Sequence, residues 1–179
     1  VMPAVRIATK RGVNLIIGTT GLTADDLSQI DQLTITHQVG AVVAPNFALG
    51  AVLMIHLAET AAKYLDYAEI IELHHHQKAD APSGTALNTA RAMAASRGKP
   101  FLRPLEQEKS LDSRGGQVEG VTIHSVRLPG LLAHQEVLLG GPGQILSIRH
   151  DAISRECFMP GVILAIKKVV KHQGLIYGL

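Results

Sequence analysis

Residues 69–86 read Glu-Ile-Ile-Glu-Leu-His-His-His-Gln-Lys-Ala-Asp-Ala-Pro-Ser-Gly-Thr-Ala. The β-branched start, Ile70-Ile71, predicts a strand over 67–74. Three histidines, Gln77 and Lys78 follow, and Asp80-Ala81-Pro82 then interrupts regular structure. Ser83 is a good N-cap for a helix over 84–97, because its hydroxyl can accept an orphan amide hydrogen of the first turn. Gly98-Lys99-Pro100 stops that helix. The free N–H groups of Gly84 and Thr85 attract anions, and Gly84 has no Cβ to block a close approach. Lys78 adds a full positive charge. The stretch predicts a pocket for a carboxylate or phosphate, with titratable groups beside it.

Alternation along a strand puts His74 and His76 on one face and His75 on the other. Three readings of the histidine run stand side by side. One is a solvated strand end. Another is a metal site, since imidazole is a common ligand, with His124, His134 and His150 as further candidates that only the fold could bring near. A metal would leave Lys78 without a role and repelled. The remaining one is acid–base chemistry beside an anion pocket, which accounts for Lys78, Ser83, Gly84 and Thr85 together.

Before this stretch, residues 2–11 read as a helix with Pro3 near its start and Gly12 as its stop. Val13 to Ile17 is a short apolar strand ending in Gly18-Thr19-Thr20-Gly21. Asp25 to Gln32 follows as a helix after the cap Thr23, and Gly40 to Ala44 is a second apolar strand, ending in Pro45-Asn46-Phe47. Alternating strands and helices predict βαβ units and a parallel sheet, so the class is α/β. Ligands in such sheets sit at the carboxyl ends of strands, where both Gly18-Thr19-Thr20 and Ala44-Pro45-Asn46-Phe47 fall. From pattern alone these are ordinary turns.

Residues 48–65 form a helix with Leu49, Val52, Leu53, His56, Leu57 and Ala61 near helical spacing; His56 reads as a core-edge residue. Residues 98–119 are rich in charge, Gly and Pro and read as a long surface excursion. Val121–Leu128, Gln135–Leu139 and Gln144–Arg149 are strand-like and joined by short turns, which predicts antiparallel neighbours. Gly140-Gly141-Pro142-Gly143 has the look of a hairpin turn. With strand 67–74 these runs make a mixed, largely antiparallel sheet of about four strands, with an open face suited to oligomer contacts. A last helix starts near Phe158-Met159-Pro160 and runs to about Lys171, with Val162, Ile163, Ala165, Ile166, Val169 and Val170 as its packing positions.

The chain of 179 residues is long enough for a proper core. A formal charge of +2 and only six aromatics give nucleic-acid binding little support. A pI near 8.8 mildly favours anionic small molecules. The single cysteine, Cys157, has no intrachain partner, which fits a reducing, cytoplasmic compartment. No signal-peptide pattern opens the chain. The most apolar stretch, Phe47 to Ala58, is too short to span a bilayer.

Glu72 to Ala86 closely resembles the signature of the 4-hydroxy-tetrahydrodipicolinate reductase (dihydrodipicolinate reductase) family, and the resemblance extends in order from Gly18-Thr19-Thr20-Gly21 to the final helix. It implies a partial Rossmann-like nucleotide-binding domain over 1–47, a substrate-binding and oligomerisation domain over 48–157, and a helix over 158–179 that packs back on the nucleotide domain. The glycine-rich first turn of such a domain is not in the sequence, so the expectation is a fragment that keeps the substrate site and that truncation can leave inactive. The resemblance implies His74 as catalytic acid/base and Lys78 as second proton donor. It implies His75, Gly84 and Thr85 as substrate contacts, and Gly18, Thr19, Thr20, Ala44, Pro45, Asn46 and Phe47 as the lining of an NADH or NADPH site, with no metal. Ser154-Arg155 matches a pair that faces the family's active cleft; an ordinary surface arginine is the other reading. The implied reaction is NAD(P)H-dependent reduction of 4-hydroxy-tetrahydrodipicolinate to tetrahydrodipicolinate, in lysine and diaminopimelate biosynthesis, by a cytoplasmic homotetramer. A metal-dependent hydrolase and a non-catalytic ligand-binding module are the alternatives.

Overall fold

The structure is a computed structural model and describes residues 1–19, 21–104 and 113–179. Its elements are α1 (Met2–Lys10), β1 (Leu15–Ile17), α2 (Ala24–Thr36), β2 (Gly40–Val43), α3 (Leu49–Ala62), β3 (Tyr67–His74), α4 (Gly84–Arg97), β4 (Gly116–Val118), β5 (Val121–Arg127), β6 (Ala133–Gly141), β7 (Gln144–Ala152), a 3-10 turn (Arg155–Phe158), α5 (Met159–Val169) and β8 (Gly174–Tyr177). They fall into two compact units, one of residues 1–52 with 155–179 and one of residues 53–154.

The first unit is a three-stranded parallel sheet in the order β1-β2-β8. β2 is buried along its whole length, and its alternating side chains serve two cores. Ala41 and Val43 join Val5 of α1 and Ile30 of α2. Val42 joins Ala44, Phe47 and, from α5, Ala165 and Val169. A sheet covered on both faces needs apolar residues at every position of its central strand, and Gly-Ala-Val-Val supplies them. Thr23 caps α2 in a reciprocal box: Asp26 N–H donates to the Thr23 hydroxyl (3.1 Å) while Thr23 N–H donates to the Asp26 carboxylate (2.9 Å). The side chain of Asp31 accepts the Leu175 N–H at 2.9 Å and so anchors β8 beside α2. Here the sequence reading needs three corrections. α2 continues to Thr36, a turn past Gln32. Residues 174–177 form a strand, so the segment expected as a helix over 158–179 is helical only to Val169 and then turns back as β8. Only Ala165 and Val169 of the expected α5 stripe are buried, with Val162 packed partly against them, while Ile163, Ile166 and Val170 are exposed.

The second unit is a five-stranded mixed sheet in the order β4-β5-β3-β6-β7. One face packs on α3 and α4 through Met54, Ala58, Ala62, Ala86, Ala90 and Met93, which meet Ala68, Ile70, Val121, Ile123, Val137 and Leu139 of the strands. Small residues on the helices let them approach the sheet closely. This overturns the predicted α3 stripe: Leu53 and Leu57 are exposed, as is His56. β6 and β7 are antiparallel and close through Pro142-Gly143, with Gly143 in the left-handed region (φ 71°). β5 does not pair with β6 as its short connection suggested. It runs parallel to β3, which lies between them and pairs antiparallel with β6. The 98–119 excursion contains the short strand β4, antiparallel to β5; residues 105–112 of it lie outside the described residues. No helix among the described residues is long and apolar enough to cross a membrane.

Candidate active site

β3 and β5 run side by side in parallel, so their carboxyl ends coincide, and His74 is the register partner of Arg127. Glu72, two residues before His74, shares its face of the sheet. The loop after β3 returns to open α4 at Ser83, whose hydroxyl accepts the Ala86 N–H at 3.2 Å. A strand end, a second strand end and a helix start thus meet in one place.

Glu72 is their junction, and it is fully buried. One of its oxygens, Oε1, accepts from Arg127 Nη2 (2.7 Å) and from the Ser83 N–H (3.2 Å). The other, Oε2, accepts from Arg127 Nη1 (2.8 Å) and lies 2.5 Å from His74 Nδ1. Burial alone pushes the Glu72 carboxyl up, but hydrogen bonds from His74, Arg127 and Ser125 outweigh it and hold the group at about 2. Arg127 also donates to the backbone carbonyls of Lys78 (3.3 Å) and Asp80 (2.7 Å). One guanidinium therefore ties the loop to the buried carboxylate.

His74 is mostly buried, with 15% of its side chain exposed. Lys78 is held in the loop by its N–H to the His75 carbonyl (3.1 Å), and its Nζ contacts both Asp80 oxygens at 2.8 Å. The Lys78 ammonium holds the Asp80 carboxyl below its ordinary range. The pocket cation expected from the sequence thus has an acidic neighbour two residues on. His75 is half-buried, while His76 and Gln77 sit exposed in a turn, so strand alternation ends at His74. Gly84 and Thr85 precede the first intrahelical bond, from Leu87 N–H to the Ser83 carbonyl, and have no intrahelical acceptor. A side-chain carbon built at Gly84 would meet nothing within 4 Å, so the space at the helix start is open. Thr85 is fixed from behind: its carbonyl accepts from Thr89 Oγ1 (2.8 Å), which in turn accepts from Gln135 Nε2 (2.8 Å).

In the first unit, the expected cofactor residues gather at the carboxyl ends of β1 and β2. The Ala44 N–H donates to the Ile17 carbonyl at 3.0 Å, and Asn46 turns the chain by accepting the Ala48 N–H at 2.9 Å. A side-chain carbon at Gly18 would lie 3.1 Å from the Phe47 ring, a tight contact that glycine avoids. Gly18, Thr19 and Ala44–Phe47 are adjacent there; Thr20 lies outside the described residues. Arg155 opens the 3-10 turn and is exposed. Among the described residues, no three His, Cys, Asp or Glu side chains gather as a metal-holding group.

The reading of the sequence gave no role to Glu72 or Arg127, the two best-connected side chains of the site. Glu72 was inside the quoted stretch, and an acidic residue at an inward position among Ile70 and His74 was the available signal. Arg127 lies 55 residues away, and only the parallel pairing of β3 with β5 brings it near.

Comparison with known proteins places the chain. The family model described as "Dihydrodipicolinate reductase, N-terminus" matches residues 1–47, and "Dihydrodipicolinate reductase, C-terminus" matches residues 50–179. A 4-hydroxy-tetrahydrodipicolinate reductase of Dehalococcoides mccartyi is 57% identical over 99% of this chain and 67% of its own length. One from Moorella thermoacetica is 56% identical over 97% of this chain and 65% of its own. The solved structure of dipicolinate-bound dihydrodipicolinate reductase from Paenisporosarcina sp. TG-14 is 46% identical, with a TM-score of 0.89, over 99% of this chain and 67% of that one. The chain spans about two thirds of the length of these relatives, and along that span, in both sequence and fold, it belongs to the dihydrodipicolinate reductase family.

Proposed function

We propose that this chain carries the substrate site of a 4-hydroxy-tetrahydrodipicolinate reductase, an oxidoreductase that uses NADH or NADPH to form tetrahydrodipicolinate in lysine and diaminopimelate biosynthesis. The observation that carries the reading is the junction at Glu72, which holds His74, the loop of Lys78 and the start of α4 together. A cyclic dicarboxylate needs two anion sites and a proton donor. Lys78 with His75 forms one anion site, and the N–H groups of Gly84 and Thr85 form the other. His74 is the acid/base and Lys78 the second proton donor. As the substrate accepts negative charge, the ammonium offsets it, and a group poised to donate completes the reduction. An imidazole suits proton transfer near neutral pH. That a relative in this family is known with dipicolinate bound supports a planar dicarboxylate as ligand here.

Gly18, Thr19, Thr20 and Ala44–Phe47 are the residues that would hold the nicotinamide, which supplies the hydride when bound. The Gly18 cradle at the carboxyl ends of β1 and β2, with Gly18 and Pro45 exposed, fits such a group. We assign residues 1–47 to cofactor binding, 48–157 to substrate binding and subunit contacts, and 158–179 to packing against the cofactor-binding part. The sheet face away from α3 and α4 bears exposed Tyr67 and Ile145 among charged residues such as Glu136 and Arg149, an uncovered face that suits the subunit contacts of a homotetramer. A lone cysteine suits work in the cytoplasm.

The experiment is calorimetric titration with pyridine-2,6-dicarboxylate, with and without NADH. Saturable binding that is lost in Lys78→Ala is expected. Binding unchanged in that variant would overturn the assignment of the site.

A further inference from the structure

We propose that Glu72, clamped by Arg127, is the positioning residue of His74: it fixes the imidazole with hydrogen on Nδ1, leaving Nε2 as the atom that exchanges a proton with substrate. The proposal rests on the reading of His74 as the acid/base, and it adds how the ring is held.

The argument begins with donor and acceptor inventory. An ionised carboxylate only accepts hydrogen bonds. Glu72 receives two from the Arg127 fork, at 2.7 and 2.8 Å, one to each oxygen, and a third from the Ser83 N–H. A bidentate guanidinium with a backbone donor keeps such a group charged even in a buried place. The contact between Glu72 Oε2 and His74 Nδ1, at 2.5 Å, then has one consistent polarity. Nδ1 must be the donor, because a lone pair there would face a negative oxygen. In the neutral ring Nε2 is consequently bare, and in the cationic ring it carries the mobile proton. Among the described residues no protein group bonds Nε2.

Geometry makes the arrangement rigid. Glu72 and His74 are alternate residues of one strand, so their side chains emerge on the same face. Arg127 occupies the register position of His74 on the neighbouring parallel strand. Its remaining donors bond the carbonyls of Lys78, Asp80 and Val126. The carboxylate that orients His74 and the backbone that carries Lys78 therefore hang from one guanidinium. Ring rotation of His74 would break a charge-assisted bond in a buried setting, where it is strongest. Gln135, buried at the register position opposite Glu72, closes the site from the other neighbouring strand.

A merely structural ion pair would make Glu72 matter for stability alone. A positioning role makes it matter for the tautomer of His74 and for the rate of chemistry after binding. The test is nitrogen-15 NMR of the full chain, reading which ring nitrogen of neutral His74 bears hydrogen, followed by steady-state kinetics of the cofactor-supplied enzyme and of its Glu72→Gln variant. The expected result is hydrogen on Nδ1 in the unmodified protein and loss of that single tautomer in Glu72→Gln. In the variant kcat should fall by about a hundredfold, with KM for the substrate changed less than about threefold. Hydrogen on Nε2 in the unmodified protein would overturn the proposal. So would a folded Glu72→Gln variant with kcat within about threefold of the original. If that variant does not fold, Arg127→Lys, which keeps a cation but loses the fork, takes its place with the same expectations. The tautomer reading needs no turnover, so a full-length enzyme that shows Nδ1–H but does not reduce the substrate would refute the functional reading and not the orientation of the ring.

Discussion

The backbone of α5 at Gly161 is pressed against the carbonyl of Phe47: a side-chain carbon at position 161 would lie 2.1 Å from that oxygen. Neither partner is a flexible side chain, so the contact cannot be relieved locally. Gly161→Ala should destabilise the protein by about 1–3 kcal/mol, the usual scale of core overpacking. A urea titration reads the loss as a lower midpoint at unchanged slope.

Gly84 presents the opposite case, because nothing lies within 4 Å of a carbon added there. Gly84→Ala removes backbone freedom from the unfolded chain and improves a helix position, so the melting temperature should hold or rise. If the helix start receives a substrate carboxylate, the new methyl intrudes on it. Affinity for pyridine-2,6-dicarboxylate should then fall by about tenfold, or ~1.4 kcal/mol, in calorimetry.

Removing only one member of the buried pair should be worse than removing both. Arg127→Met takes the guanidinium and its two hydrogen bonds from the fully buried Glu72 carboxylate and should cost about 3–5 kcal/mol. The double variant Glu72→Leu/Arg127→Met should recover a large part of that loss in thermal unfolding. A double variant no more stable than the single one would show that the two side chains do not act as a pair.

Acid should weaken the fold through the same carboxylate. The Glu72 carboxyl lies at about 2 in the folded protein against an ordinary value of 4.5. Its folded value is depressed, so its contribution is complete above pH 4.5 and disappears as pH falls from there towards 2. The amount is roughly 3 kcal/mol. Glu69 and Asp66 are lowered too, by hydrogen bonds that for Glu69 outweigh its partial burial, and they act in the same direction. Denaturant unfolding at pH 7, 4 and 3 should show falling stability, and the fall should be shallower in Glu72→Gln.

Turnover should depend on both proton donors. In a full-length, cofactor-supplied version of the enzyme His74→Ala and Lys78→Ala should each reduce kcat by about a hundredfold or more. Near-normal rates in both variants would remove the roles given to them.

The legibility of the site followed distance along the chain. His74, Lys78, Ser83 and Gly84 lie within eleven residues, and local rules of strand alternation, capping and turn formation were enough to bring them together. Arg127 was hidden because a parallel strand pair has no local signature, and the short link after β5 suggested β6 as its neighbour. The face of α3 was misread for a related reason. Apolar residues surround that helix, so spacing could not tell Leu53 from Met54, and the sheet selected the smaller side chains. β8 escaped notice because four residues, Gly-Leu-Ile-Tyr, carry too little pattern. What makes them a strand is the open edge of β2 and the Asp31 carboxylate that accepts the Leu175 amide.

The place of β8 sets an order on synthesis. Residues 53–154 form one continuous stretch and contain every strand of the mixed sheet. They can fold while the rest of the chain is still being made. The parallel sheet cannot, since its central strand waits for residues 174–177 to arrive as a neighbour. On the ribosome the apolar edge of β2 therefore stays uncovered until translation has passed the whole of the other unit. The interval is about ten seconds, since some 130 residues separate β2 from β8 and synthesis runs at roughly 5–20 residues per second. During that interval this edge is open to pairing with a wrong strand.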